Sequence, residues 1–178
     1  MLESIKINNE VIELLQFLWQ TVAAGNKVSD SYISDIVSNP AMQAVYTDDF
    51  SQETARMVLS AIVNKEPLAE ASPKAKEFYD FNFFNADDPG NVEMMLPIVK
   101  QLNVNQLKEE FQTETAYNQL VINFVGAYDI SHITEGNTLT INFFKLNVDW
   151  SNMDQALIEG QSLEDFIQDR AKEILNKD

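Results

Sequence analysis

The chain has 178 residues, of which 28 are acidic and 12 are basic, so its formal net charge is -16. A charge this negative repels nucleic acid and anionic membranes, so direct binding to DNA, RNA or lipid is not expected. The absence of cysteine excludes disulfides, thiolate zinc sites and cysteine nucleophiles. Hydrophobic residues make up 45% of the chain, enough for a packed core, and the length predicts one globular domain over residues 1–178.

The sequence also argues against a membrane protein and an exported one. No apolar run approaches the roughly 20 residues that a membrane-spanning helix needs. The N-terminal segment carries Glu3 and Glu10, whereas a secretory signal begins with basic residues. We therefore expect a cytoplasmic protein that binds no membrane.

The N-terminal two-thirds of the chain is predicted to be mainly helical. From Ile5 to Ala24, apolar residues recur at steps of three and four, the period of a helix with one buried face. Ser29 is suited to cap a second helix, and the apolar spacing from Ser51 to Lys65 predicts another. Ser72-Pro73 marks a further start, because proline at the first helical position lacks only an N–H that the helix does not use. Asn91 precedes one more predicted helix.

After Leu120 the apolar period changes from the helical value to two, which is typical of strands. The alternation between Leu139 and Trp150 slips once, at Phe143-Phe144, as a β-bulge would make it do. "TEGN", residues 134–137, lies between the two alternating runs and predicts a turn. Two strands alone are marginally stable in water, and "FYDFNFF", residues 78–84, is a candidate third strand.

The predicted fold class is therefore α+β. We expect a helix-rich single domain with a bulged antiparallel β-hairpin over about residues 120–150 and a C-terminal helix. Ser162 and Asp165 match a capping box at the start of that last helix.

The aromatic run "FYDFNFF" is also the first candidate for a contact surface. It places five rings in seven residues, directly before Asp87 and Asp88. Large rings mostly face the core, so we expect three of the five to be buried. Aromatic residues also anchor protein interfaces, and Tyr79 and Phe81 are the candidates to face outward beside the two carboxylates.

Two acidic stretches extend this surface hypothesis. Residues 30–53 and residues 109–142 each carry five acidic residues and no lysine or arginine. If such stretches share one face, their potential would steer a basic protein toward it. The candidate binding residues are Asp48, Asp49, Tyr79, Phe81, Asp87, Asp88, Glu109 and Glu110.

The leading functional prediction is a non-enzymatic, acidic protein-binding module of inhibitor, immunity or adaptor type, which occupies a basic surface on a partner protein and needs no cofactor. The prediction depends on the charge and on the shortage of catalytic residue types. One alternative is a metal-dependent hydrolase that combines His132, the only histidine, with Glu135 and a remote carboxylate such as Asp129 or Asp149. Another is a homo-oligomer that pairs through the edge of the hairpin.

Overall fold

A computed structural model describes residues 1–176, in which helices pack with a four-stranded sheet and a smaller three-stranded sheet. The α-helices are α1 Glu10–Ala23, α2 Asp30–Val37, α3 Gln52–Val63, α4 Pro73–Asp87, α5 Gly90–Lys100, α6 Gln106–Glu110 and α7 Leu163–Leu175. The strands are β1 Ser4–Asn8, β2 Gln119–Val125, β3 His132–Glu135, β4 Thr138–Asn142, β5 Asn147–Val148, β6 Ala156–Ile158 and β7 Gln161–Ser162. Short 3₁₀ helices cover Pro40–Val45 and Phe143–Lys145.

The larger sheet has the strand order β1-β2-β4-β3. Strands β1, β2 and β4 are parallel, with Ile7 opposite Ile122 and Phe124 opposite Ile141. Strand β3 is antiparallel to β4. The smaller sheet is antiparallel and has the order β5-β6-β7.

The fold class predicted from the sequence is confirmed. Helices and both sheets contribute to one hydrophobic cluster that extends along the chain from Leu2 to Leu175, so the described residues form a single α+β domain. The C-terminal helix is present as α7. Within residues 1–176, none of the helices combines the length and the apolar character that crossing a bilayer requires.

The hairpin lies inside the predicted range but is shorter, because β3 pairs with β4 around the turn at Gly136. Gly136 has a φ of 57°, a conformation that glycine adopts without strain. The strand that begins near Leu120 is not the hairpin partner. It runs parallel to β4, and residues 126–131 together with β3 carry the chain back to the start of β4.

The predicted bulge at Phe143-Phe144 is wrong, because these residues form a 3₁₀ helix. Asn142 caps it, with its side-chain oxygen accepting from the Phe144 N–H at 3.2 Å. One tight turn of 3₁₀ helix changes the face on which the apolar residues lie, as a bulge would.

One helix prediction and one strand prediction also need correction. The segment from Ile5 to Ala24 is a strand followed by a helix, with the change at Asn9. The candidate third strand at residues 78–84 belongs to helix α4, and β1 supplies the additional strand instead. The caps predicted at Ser29, Ser72 and Ser162 are confirmed, since each hydroxyl accepts a backbone N–H from three residues further on.

Candidate functional site

The aromatic run lies on helix α4, so its rings point in different directions around the helix axis. Phe78 is fully buried, and Tyr79 and Phe81 are half-buried. Phe83 and Phe84 are 53% and 59% exposed. Three rings therefore pack inward, as expected, but the exposed pair is Phe83 and Phe84, one on each flank of the helix.

Phe84 lies at the wall of an open cavity of about 480 Å³, which we call the aromatic groove. Helices α4 and α5 form one side of the groove, and residues 143–150 form the other. Phe81 stacks on Phe144 inside it, with ring centroids 5.1 Å apart and planes inclined by 20°. Trp150, at 75% exposure, stands at the opposite wall from Phe84. The volume is in the range of about 300–1,000 Å³ usual for binding pockets.

The position of Phe144 depends on a close approach to the backbone at Gly126. A Cβ atom on Gly126 would lie 2.8 Å from Cε2 of Phe144 and 3.1 Å from Cδ1 of Leu15. The Phe144 ring also contacts the buried rings of Trp19 and Phe78, at centroid distances of 5.7 and 6.4 Å. The groove is thus built directly on the core.

The polar groups in the groove are amides. Asn85, Asn91 and Asn147 line it, and among the described residues that line it there is no lysine, arginine or carboxylate. Nδ2 of Asn85 donates to the Phe81 carbonyl at 2.8 Å. Such a surface offers aromatic contact area with a few hydrogen-bonding groups, the composition usual for recognition sites.

Carboxylates flank the groove along both chain segments that form it. Asp88 is exposed and lies between Asn85 and Asn91 in the chain. Asp149 lies between the lining residues Val148 and Trp150, and hydrogen bonds from the hydroxyl and N–H of Ser151 lower its pKa. The Asp149 carboxylate is therefore ionised at neutral pH, as an aspartate with its ordinary pKa would also be.

The neighbouring cation along the chain does not neutralise this charge, because the Lys145 ammonium binds the carboxylate of Asp129. Lys100, at the far end of α5, pairs with Glu13. The aromatic groove therefore combines exposed rings with nearby negative charge.

A second cavity, also about 480 Å³, lies on the other flank of α4 against α1, α3 and the loop that follows α3. Phe83 lines it and stacks on Tyr79, with centroids 6.1 Å apart. The Tyr79 hydroxyl donates to the Glu66 carbonyl at 2.9 Å. Unlike the aromatic groove, this cavity includes a lysine, Lys65, and two acidic residues, Glu66 and Asp87, in its lining.

The predicted acidic residues are distributed over several parts of the molecule. Asp48 is exposed, and Asp49 accepts hydrogen bonds from Lys74 at 2.9 Å and from Thr47 at 2.8 Å, beside the N-terminal end of α4. Asp87 and Asp88 lie at the other end of this 15-residue helix, roughly 20 Å away.

Glu109 and Glu110 are exposed on α6, where Glu110 accepts a hydrogen bond from Gln168 of α7. Of the predicted set, Phe81 lines the aromatic groove and Asp88 flanks it, while Tyr79 and Asp87 belong to the second cavity.

The residues of the hydrolase alternative do not converge. His132 and Glu135 are three residues apart on strand β3, so their side chains point to opposite faces. Asp129 pairs with Lys145, and Asp149 is bonded to Ser151. Within residues 1–176, no group of three or more His, Asp or Glu side chains is arranged to hold a metal ion.

His132, the first residue of β3, instead packs its ring against α7. Its Nδ1 is 2.7 Å from the Ser131 hydroxyl, and its ring meets the Phe166 ring edge-on at 5.1 Å. Burial, assisted by the charge of Arg170, lowers the pKa of His132, so the neutral imidazole is favoured at this position.

Sequence reasoning missed the residues that make the groove a surface, chiefly Phe84, Met95 and Trp150. Trp150 ends an alternating run, which predicts a strand and not an exposed ring. A tryptophan next to Asp149 is the only signal that the sequence offers, and nothing in the sequence places it close to α4. The geometry alone carries the functional argument, since comparison with protein-family models, with curated proteins and with solved structures finds no match to this chain.

Proposed function

We propose that this chain is a non-enzymatic protein-binding module, of inhibitor, immunity or adaptor type, that binds a basic partner protein through the aromatic groove. One observation carries the proposal: exposed rings of Phe84 and Trp150 stand on the two walls of an open groove that has carboxylates beside it and no cation in its described lining. Exposed aromatic residues around a pocket are the usual anchors of protein interfaces.

The charge of the whole chain supports the same partner. With a net charge of -16, the molecule attracts basic proteins over distances of about a Debye length and repels nucleic acid. The function needs no cofactor, because recognition by rings, amides and carboxylates is complete without one. A cytoplasmic location is part of the proposal, and a chain without cysteine is compatible with a reducing compartment.

The test compares two adjacent phenylalanines on α4. Phe84→Ala removes a ring from the aromatic groove, whereas Phe83→Ala removes a ring of similar exposure from the second cavity. Immobilised wild-type chain and both variants are incubated with lysate of the native host, washed at low and then high salt, and the retained protein is identified. The purified partner is then titrated against all three by calorimetry.

We expect the wild type and Phe83→Ala to retain one basic protein at low salt and to lose it at high salt, while Phe84→Ala retains none. Calorimetry should then show binding at least about tenfold weaker for Phe84→Ala, the cost typical of losing an interface anchor. Equal retention by all three chains, or an affinity indifferent to salt, would contradict the proposal.

Self-association is the competing explanation of an exposed apolar surface. Strand β3 is at the edge of the larger sheet, so the homo-oligomer predicted from the sequence has a strand with an open side available to it. Sedimentation of the wild type over a range of concentrations separates the two. A dimer that Phe84→Ala dissociates would assign the aromatic groove to a second copy of this chain and overturn the basic partner.

A further inference from the structure

The aromatic groove runs along the open edge of a strand. Three consecutive residues of the second wall, Leu146, Asn147 and Val148, all line it. Asn147 and Val148 form β5, and Leu146 precedes it. Successive side chains of a strand point to opposite faces, so a groove that touches both residues of β5 follows the edge of the strand. Strand β5 is indeed the outer strand of the smaller sheet, with β6 on one side only.

The hydrogen bonds between β5 and β6 leave the main-chain groups of one residue, Val148, directed toward the open edge of β5. Asp149 donates its N–H to the Gln155 carbonyl at 3.2 Å, on the side of β6. Main-chain groups of an antiparallel strand alternate in direction, so Val148 directs both its N–H and its C=O away from β6. Val148 is thus placed to exchange a pair of hydrogen bonds with a further strand.

We infer that the partner segment is extended and basic, and that it adds a strand to β5. This inference rests on the proposed function and names the form in which the partner binds. The segment would pair with Val148 and direct alternate apolar side chains between Phe84 and Trp150, with lysine or arginine reaching Asp88 and Asp149. Main-chain bonds supply affinity in this mode, and the pockets for alternate side chains supply specificity.

The charges beside the aromatic groove favour a basic occupant over an acidic one. The groove lining contains amides and apolar groups, the flanking carboxylate of Asp149 is held ionised, and Lys145 is occupied by Asp129. An acidic segment would therefore meet like charge beside the groove without a compensating cation there. A basic segment meets complementary charge at Asp88 and Asp149, which adjoin the lining residues of the groove in the chain.

The first experiment selects peptides from a displayed library of random linear sequences on the wild-type chain at low salt. We expect selected peptides to carry apolar residues at every second position together with lysine or arginine. They should bind the Trp150→Ala variant at least about tenfold more weakly than the wild type. Apolar residues at intervals of three and four would indicate a helix and overturn the inference, as would acidic sequences or the absence of any enrichment.

The second experiment tests the strand pairing itself. Val148→Pro removes the N–H at the open edge without removing a bond to β6, and proline is tolerated at such edge positions. We expect this variant to unfold in urea close to the wild type but to lose the selected peptide. Unchanged binding would show that β5 does not pair with the peptide.

N-methylated peptides give an independent answer, which does not depend on how Val148→Pro folds. Methylation of alternate amides in one register should abolish binding, and methylation in the other register should leave it intact, because only one set of N–H groups faces β5. Loss in both registers would contradict strand addition.

The two proposals fail differently. Suppose that the basic partner binds the wild type and not Phe84→Ala, while N-methylated peptides bind equally in both registers. That result would support the binding function and contradict strand addition. If no salt-sensitive partner depends on Phe84, the binding function itself falls.

Discussion

Phe144 connects the core to the aromatic groove, because its ring packs on Trp19 and Phe78 and stacks on Phe81 at the surface. Gly126 makes this arrangement possible by leaving the space that a Cβ would fill. A larger residue at Gly126 should therefore lower the stability of the fold and change the shape of the groove.

Replacing Gly126 with alanine should destabilise the chain by about 1–3 kcal/mol, the usual cost of overpacking a filled core. The added methyl would lie 2.8 Å from the Phe144 ring and 3.1 Å from Leu15, and neither can move without disturbing its neighbours. Urea unfolding measures the change. Gly90→Ala is the matched control: its methyl meets only the end of the flexible Asp88 side chain at 3.0 Å, so we expect a change within about 0.5 kcal/mol. Equal effects of the two substitutions would show that Phe144 adjusts freely.

Asn82 is a buried polar residue that holds Trp19 in place. Its Oδ1 accepts the indole N–H of Trp19 at 3.0 Å, and its Nδ2 donates to the Phe78 carbonyl at 2.8 Å. Asn82→Leu leaves the indole N–H buried without an acceptor, and we expect a loss of about 1–3 kcal/mol.

A double-mutant cycle with Trp19→Phe isolates this hydrogen bond. Phenylalanine has no N–H to satisfy, so Asn82→Leu should cost less in the Trp19→Phe chain than in the wild type. Urea unfolding of the four chains gives the coupling. Additive effects would mean that the bond contributes nothing beyond packing.

At the scale of elements, the serine helix caps were predicted correctly, whereas alternation in short runs and pairing between distant segments were not. The caps at Ser29, Ser72 and Ser162 depend only on the next three residues, and they were predicted correctly. Ile5 and Ile7 fit the alternation of a strand and also the helical stripe that follows, and only pairing with β2 decides for the strand. The parallel arrangement of β2 and β4 likewise depends on a return of the chain, through residues 126–131 and β3, that no local pattern predicts.

Strand β3 and helix α7 contact each other through His132, and this contact is sensitive to pH. Burial and Arg170 lower the pKa of His132, while the charges of Glu159 and Glu173 raise it less. The folded pKa therefore lies below the unfolded value of about 6.5. The stability that the neutral imidazole provides is complete above about pH 6.5 and is lost as the pH falls through the folded pKa.

We expect the urea midpoint of the wild type to fall relative to that of His132→Gln between about pH 7.5 and pH 5.5. The comparison cancels the carboxylates, which titrate in both chains. A difference between the two midpoints that stays constant across this range would show that His132 titrates alike in the folded and unfolded states.

At the scale of the whole molecule, the sequence predicted the sign of the charge but not the place where it matters. Asp48 and Asp49 lie at one end of α4 and Asp88 lies at the other. The two acidic pairs that stand out in the sequence therefore do not form one patch. Phe84 and Trp150 line the same groove only because residues 143–150 return to α4. That return depends on the core around Phe144, which no local pattern encodes.

The net charge gives salt two opposite effects on this protein. In the free chain, carboxylates repel one another, so raising NaCl from about 20 mM to about 300 mM should stabilise the fold by screening. A gain of about 1 kcal/mol would raise the unfolding temperature by roughly 2–4 °C. For the proposed complex, the same screening removes attraction to the basic partner, and the association rate should fall by about tenfold or more.

Thermal unfolding of the free chain and stopped-flow association with the partner measure these two effects over the same salt series. Repeating both with KCl shows whether ionic strength or a particular ion is responsible. Opposite signs are expected because one cause, a surplus of carboxylates, destabilises the free molecule and steers its partner. An unfolding temperature that stays flat or falls with salt would show that the surplus charge is too dispersed to strain the fold, and the steering argument would then depend on Asp88 and Asp149 alone.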